Sequence, residues 1–205
     1  MDIVLASHNR KKIAELQTLL SACMPNVRLL SPADIGFHGE IAETGTTFAE
    51  NAFQKASAMA ALGHIAIADD SGLCVDALDG APGVYSARYS GQGDEENNRK
   101  LLRALEQVPE HLRTAQYVCC MVCVLPGKDT ALTVQDSCEG LIAFDEQGDG
   151  GFGYDPLFYF PAFHCRFAEL TPEQKNEVSH RGKAVRRFAQ TLPEFFRKNG
   201  IDYES

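Results

Sequence analysis

Two acids, Asp69 and Asp70, stand where the apolar run Ile65-Ala66-Ile67-Ala68 gives way to Ser71-Gly72. The carboxyl edge of a strand is where open α/β sheets tend to hold their ligands. A carboxylate there can bind a hard cation such as Mg²⁺, which neutralises phosphate oxygens, or it can orient and deprotonate an attacking water. Strand side chains alternate between faces, so both acids could serve one site only if the strand has already ended. The pattern predicts a strand that breaks at Asp69-Asp70-Ser71-Gly72, with Asp70 as the site carboxylate and Asp69 facing structure. A plain strand stop, whose carboxylates satisfy loop amides, accounts for the same residues.

Three more segments carry suitable chemistry. Ser7-His8-Asn9-Arg10-Lys11-Lys12 follows one apolar run and precedes Ile13, Leu16, Leu19 and Leu20 at helical spacing. Free amides at a helix start attract anions, and the lysines add mobile cations; Ser7 or Asn9 could equally do no more than cap the helix. The segment has neither the Gly-Lys-Ser/Thr of a Walker loop nor the glycines of a dinucleotide turn. Gly150-Gly151-Phe152-Gly153-Tyr154-Asp155-Pro156 combines three glycines, two rings and a carboxylate. Glycines let backbone amides approach a ligand, and a flat ring offers stacking worth roughly 1–3 kcal/mol per base. Read from Gly148, the stretch matches Gly-x-Gly-x-x-Gly, but that fingerprint must open a helix, and Pro156 with the β-prone Leu157-Phe158-Tyr159-Phe160 follows instead. An EF-hand starting at Asp145 fails too, because Pro156 stands where its final Glu belongs. Lys175 and Ser179-His180-Arg181-Gly182 supply donors for a phosphate or a base carbonyl, although alone they read as an ordinary solvated helix end.

The elements that must position these groups follow from periodicity and punctuation. Ile3 to Ala6 and Val27 to Leu30 read as strands around a first helix, and Ser31 to Gly45 as a long irregular loop. Phe48, Ala52, Ala56, Met59 and Ala60 mark a second helix ending near Gly63, and Asn97 to Leu105 a third; Ala81-Pro82-Gly83 is a turn. Ala115 to Leu125 and Thr130 to Cys138 are β-rich, joined through Pro126-Gly127-Lys128-Asp129 as an antiparallel hairpin. Within the first of them, Cys119-Cys120-x-x-Cys123 reads as small buried hydrophobes, without a metal or redox role. Thr171-Pro172-Glu173-Gln174 starts a fourth helix, and a last one runs from about Gly182 to Arg197.

A chain of 205 residues, 44% apolar, suffices for one well-buried α/β core. The formal net charge of −9 argues against extended contact with a nucleic-acid polymer, yet two short basic segments suit a small anion. No apolar run approaches the ~20 residues of a membrane helix. The amino-terminal stretch has no secretory pattern, and seven scattered cysteines suit reduced thiols, so a cytoplasmic location is expected.

Taken in order, six segments resemble the inosine triphosphate pyrophosphatase family, the Ham1-like enzymes that hydrolyse non-standard purine nucleoside triphosphates to monophosphate and pyrophosphate. They are Ser7-x-Asn9-x-x-Lys12-x-x-Glu15, Glu43-Thr44-Gly45-x-Thr47-Phe48-x-Glu50-Asn51-Ala52, Ala68-Asp69-Asp70-Ser71-Gly72-Leu73, Gly80-Ala81-Pro82-Gly83-x-Tyr85-Ser86-Ala87-Arg88-Tyr89, Gly151-Phe152-Gly153-Tyr154-Asp155-Pro156 and Ser179-His180-Arg181-Gly182. The resemblance spans nearly the whole chain. It implies a single pyrophosphatase domain over residues 1–205: an elongated α/β fold with a central mixed sheet flanked by helices, two lobes with a cleft between them, and assembly as a homodimer.

The resemblance further implies roles. Ser7, His8, Asn9, Arg10, Lys11 and Lys12 would cradle the triphosphate, Asp70 would be catalytic base and Mg²⁺ ligand, and Ser71 would touch the substrate. Phe152, Gly153, Tyr154 and Asp155, with Lys175, His180 and Arg181, would hold the base. Ala42-Glu43 occupies a place that can be Glu-Glu, so Glu43 or Glu40 is the candidate second metal carboxylate, and His8 and Arg10 stand where smaller residues are common. The implied reaction is attack of water on the α-phosphorus, with Mg²⁺ between Asp70 and the triphosphate and pyrophosphate leaving beside Lys12. Donors aimed at a 6-keto oxygen would disfavour adenine, whose amino group would face them unpaired. Two rivals stay open: a pyrophosphatase for other altered nucleotides, such as modified pyrimidines, and a nucleotide-sensing module without catalysis.

Overall fold

The computed structural model describes residues 1–7 and 10–202, and for residues 10, 11, 12, 15, 19 and 23 it describes the helix backbone alone. Seven strands are β1 (Asp2–Leu5), β2 (Arg28–Leu30), β3 (Ala66–Val75), β4 (Thr114–Val124), β5 (Ala131–Ile142), β6 (Phe158–Phe160) and β7 (Cys165–Arg166). They form one sheet in the order β2-β1-β3-β4-β5-β6-β7. β1 runs parallel to β2, with Ile3 opposite Leu29, and parallel to β3, with Val4 opposite Ala66. The β5–β6 and β6–β7 pairs are antiparallel, so the sheet is mixed, as expected. Parallel neighbours need crossovers; α1 (Arg10–Cys23) joins β1 to β2, and α2 (Phe48–Ala60) precedes β3. The remaining helices are α3 (Asp94–Ala104), α4 (Pro172–Val178) and α5 (His180–Lys198). No helix among the described residues is long and apolar enough to cross a membrane.

The chain divides into two compact units, each assembled from separate stretches. The first comprises Met1–Asp70, Cys119–Gln135 and the chain from Lys183 on; the second comprises Ser71–Val118 and Asp136–Gly182. Each has its own apolar core. In the first, Ile3, Leu5 and Ile67 pack with Leu16 and Leu20 of α1 and with Val185, Phe188, Leu192 and Phe196 of α5. Leu73, Leu101, Tyr117, Phe158 and Phe167 build the second. From Tyr117 to Val124 every residue of β4 is buried, the unbroken apolar run of a strand covered on both faces. Cys119, Cys120 and Cys123 lie in that run as free buried thiols. The Ile142 N–H donates to the Arg113 carbonyl at 2.9 Å, which brings the end of β5 to the start of β4, as an antiparallel hairpin requires.

Element boundaries differ from the sequence expectation in three instructive places. β3 does not break at Asp69: it continues through Asp69, Asp70 and Ser71 to Val75, because Leu73 and Val75 bring it back to apolar burial and the Asp70 carboxylate finds an amide and a cationic partner. The sequence pattern registers side chains, whereas the ladder is made by the backbone. α5 starts at His180 instead of Gly182, and α3 at Asp94 instead of Asn97. The loop Ser31 to Gly45 holds one short turn of 3₁₀ helix, Pro32–Ile35, with Ser31 as its capping residue.

Candidate functional site

In the first unit, helix α2 delivers two polar side chains to Asp70. Its start is fixed by a capping box, in which the Thr47 hydroxyl accepts from the Glu50 N–H at 3.2 Å and the Glu50 carboxylate accepts from the Thr47 N–H at 3.2 Å. The buried face carries Phe48, Asn51, Ala52, Lys55, Ala56 and Met59. Asn51 and Lys55, four residues apart, therefore interrupt an otherwise apolar stripe. Asn51 Nδ2 donates to Asp70 Oδ2 at 3.1 Å, while its Oδ1 accepts from the Gly45 N–H at 2.8 Å. Lys55 Nζ donates to Glu43 Oε1 at 2.6 Å and reaches Asp70 Oδ1 at 3.4 Å. Both acids of the pair are buried, at 2% exposure for Asp69 and 8% for Asp70.

The electrostatics follow from that geometry. Burial alone would lower the Lys55 pKa, but the carboxylates of Asp70, Asp69 and Glu43 outweigh it and hold the ammonium above its ordinary value. The Cys120 thiol is pushed the other way in charge, up to about 11, first by burial and then by Asp70 and Asp69. The result is a nearly dry carboxylate, oriented by an amide and compensated by an ammonium, an arrangement that can accept a proton or a hard cation. Glu43 touches the same ammonium as Asp70, whereas Glu40 is exposed. Among the described residues no three His, Cys, Asp or Glu side chains come together as a metal-binding group. His8 and Asn9 lie outside the described residues, as do the side chains of Arg10, Lys11 and Lys12.

The second unit organises the glycine-aromatic loop around Asp155, which is 2% exposed. Its Oδ2 accepts from the Phe152 N–H at 2.8 Å and from Lys175 Nζ at 2.5 Å, and its Oδ1 accepts from the Tyr117 hydroxyl at 3.4 Å. Gly151 is required here twice over: its φ is +77°, and a Cβ would lie 2.2 Å from Asp155 Oδ2. The close approach that this glycine permits is thus to the protein's own carboxylate. Of the two rings, Phe152 is half exposed, whereas Tyr154 is buried and its hydroxyl donates to the Ser86 carbonyl at 2.8 Å. Lys175 Nζ lies 4.4 Å from the Phe152 ring centroid, and the Arg181 guanidinium 5.6 Å.

His180 and Arg181 are no solvated helix end. They form the first turn of α5 and are 7% and 3% exposed, because His180 stacks on Tyr117 (ring centroids 4.7 Å apart, 11° between planes) and Arg181 Nη2 donates to Ser71 Oγ at 3.2 Å. The structure thus brings Ser71, Phe152, Asp155, Lys175, His180 and Arg181 into one neighbourhood. Burial, and then Asp155, raises the Tyr117 pKa well above the ordinary phenol value, so the hydroxyl is a standing donor. Sequence reasoning missed Asn51, Lys55 and Tyr117. For the first two a signal existed, polar residues at the i and i+4 positions of an apolar helical stripe; for Tyr117, inside a uniformly apolar strand, none did.

One unit carries a buried carboxylate compensated by an ammonium, and the other a half-exposed ring with two cationic side chains beside it, on a mixed α/β sheet. The chain belongs to the Ham1 family, whose model matches residues 3–191. A dITP/XTP pyrophosphatase of Desulforamulus reducens is 47% identical over 195 residues, covering 94% of this chain and 96% of that protein. Among solved structures, a HAM1 protein from Coxiella burnetii is 40% identical with a TM-score of 0.88, covering 95% of this chain and 99% of its own. A nucleoside-triphosphatase, dITP/XTP pyrophosphatase, from Mycobacterium abscessus is 41% identical with a TM-score of 0.78 over 92% of this chain and 98% of its own.

Proposed function

We propose that the chain is a nucleoside-triphosphate pyrophosphatase that hydrolyses non-canonical purine nucleoside triphosphates (ITP, dITP and XTP) to the monophosphate and pyrophosphate, removing them before incorporation into DNA or RNA. The observation that carries this reading is the buried Asp70, held by Asn51 and Lys55, in a chain so close over nearly its full length to proteins of that name. In this reading Asp70 accepts a proton from the water that attacks the α-phosphorus; the bond from that phosphorus to the bridging oxygen breaks, and the oxygen leaves with pyrophosphate. Lys55 compensates the carboxylate charge of Asp70 from 3.4 Å. Ser7, His8, Asn9, Arg10, Lys11 and Lys12 hold the phosphates, and Lys12 stabilises the leaving pyrophosphate.

Mg²⁺ suits this donor set, since it takes one or two carboxylates and completes its shell with phosphate oxygens and water. Asp70 would hold it, with Glu43 as the second carboxylate because both touch one ammonium; when bound, the ion neutralises phosphate charge. The base is read by Phe152, Gly153, Tyr154 and Asp155 with Lys175, His180 and Arg181, and Ser71 touches the substrate. Phe152 offers a stacking face, and the cationic side chains offer donors to a 6-keto oxygen, which an adenine amino group cannot accept. Residues 1–205 act as one pyrophosphatase domain, a cytoplasmic homodimer taking a small-molecule substrate and neither nucleic-acid polymer nor membrane.

Incubation with ITP, dITP, XTP and ATP plus Mg²⁺, reading pyrophosphate, tests the proposal. Turnover of the first three, with Asp70→Asn reducing it by at least about a hundredfold, is expected. Equal turnover of ATP, or orthophosphate as the sole phosphorus product, would refute it.

A further inference from the structure

The Phe152 loop is held from two sides. Inside, Asp155 takes the Phe152 N–H. From the outer side, the next amide, Gly153 N–H, donates to Asp94 Oδ2 at 2.9 Å, across 59 residues of sequence. Asp94 is the first residue of α3, it is exposed, and its carboxylate lies at the positive end of the helix dipole. Gly153 sits at φ +61°, a left-handed conformation that only glycine adopts without cost and that sets the direction of its N–H. Two carboxylates therefore grip consecutive amides of one short loop.

Asp94 does not act alone. On the same helical face, Asn98 Nδ2 donates to Glu146 Oε2 at 3.2 Å, on the segment that leads into the loop. Asn97 accepts from Ser90 N–H and hydroxyl, both at 2.7 Å, and its Nδ2 donates at 3.4 Å to the Ser86 carbonyl, which also receives the Tyr154 hydroxyl. Residues 94, 97 and 98 share a face because neighbours on a helix recur at i+3 and i+4. All three bonds run to the aromatic loop, to its approach or to the carbonyl that anchors Tyr154. Asn97 and Asn98 are almost wholly buried, so they fix the helix, whereas exposed Asp94 is the member that meets the loop backbone beside Phe152.

We infer that Asp94 is a positioning residue for base recognition: by holding Gly153 N–H it keeps the Phe152 ring and the neighbouring backbone where a purine base stacks. This rests on the purine reading of the loop and concerns the base, not the phosphates. Removing the acceptor frees one end of the loop, which weakens binding of the base-bearing substrate without touching the group that takes the proton from water.

The test compares Asp94→Ala, which removes the acceptor, with Asp94→Asn, which keeps an oxygen acceptor at the same reach. For dITP hydrolysis, Asp94→Ala is expected to raise KM on the order of tenfold, the effect of one lost hydrogen bond, with kcat within about twofold. Asp94→Asn is expected to restore KM to within about twofold of the original protein. Inhibition by inorganic tripolyphosphate, which has no base, should be equal in all three proteins. Amide hydrogen exchange of the nucleotide-free proteins should show Gly153 exchanging on the order of tenfold faster in Asp94→Ala alone. An unchanged KM and an unchanged Gly153 exchange overturn the inference, as does a KM rise matched by weaker tripolyphosphate inhibition or by a fall in kcat. If the unaltered protein releases no pyrophosphate from any purine triphosphate, the functional reading fails; Gly153 exchange and calorimetric binding of dITP to the unaltered and Asp94→Ala proteins then decide the inference by themselves.

Discussion

The ammonium of Lys55 touches both Glu43 and Asp70, so its removal leaves buried negative charge without compensation. Lys55→Met is expected to cost about 3 kcal/mol in urea unfolding, as breaking a buried pair from one side does. Its acid limb in the pH profile of kcat/KM should also move to higher pH, since a cation beside a carboxylate favours the ionised form; an unmoved limb would show that Asp70 does not depend on Lys55. The same residue shapes alkaline stability. Lys55 has a folded pKa raised above 10.5, so its contribution is complete below that value and is lost as pH rises through the folded one. Cys120 and Cys123, pushed by burial to about 11 and about 12, act in the same direction, because unfolding releases thiols that ionise from the ordinary 9.0. The urea midpoint is therefore expected to hold steady up to about pH 9 and to fall steadily toward pH 12. A midpoint flat across that interval would contradict the burial of these groups.

At the scale of elements, the fold was legible where the signal is local. Thr171-Pro172-Glu173-Gln174 announces a helix start, and α4 begins at Pro172 with the Thr171 hydroxyl accepting from the Gln174 N–H at 3.2 Å and the Gln174 side chain accepting from the Thr171 N–H at 2.9 Å. Thr171→Ala is expected to cost about 1 kcal/mol. Because this short helix bears Lys175, the change should also raise KM for dITP, read in the same assay; a stability loss with unaltered KM would separate the cap from the site. Tertiary partners were not legible. β3 passes through Asp69 and Asp70 although both are buried, because α2 brings an amide and an ammonium to Asp70, and a reading of one strand by itself has no access to that helix. His180 and Arg181 look like solvated charges until Tyr117 and Ser71 arrive from distant strands. The composition of Gly150 to Asp155 marks a candidate site, yet Gly151 serves the approach of Asp155, which only the folded geometry reveals.

The whole molecule is woven from two units whose chain passes from one to the other at 70/71, 118/119, 135/136 and 182/183, the first three inside β3, β4 and β5. Each core thus depends on stretches far apart in sequence. Phe188, fully buried among Leu16, Leu20 and Met121 in the first core, should cost about 3–5 kcal/mol when changed to alanine, measured by urea unfolding, and should reduce dITP turnover only through the folded fraction. The weave also sets an order of events during synthesis. All of the second unit precedes Lys183, whereas the first core lacks Val185, Phe188, Leu192 and Phe196 until α5 has been made. On the ribosome, where chains grow at roughly 5–20 residues per second, the second unit, Ser71–Val118 with Asp136–Gly182, can therefore gain protease resistance while the amino-terminal strand and α1, made earlier, still wait for α5. Pulse proteolysis of released chains that end at Gly182 and at Lys198 should find residues 1–70 cleaved in the former and protected in the latter, so that the oldest part of this protein is among the last to become solid.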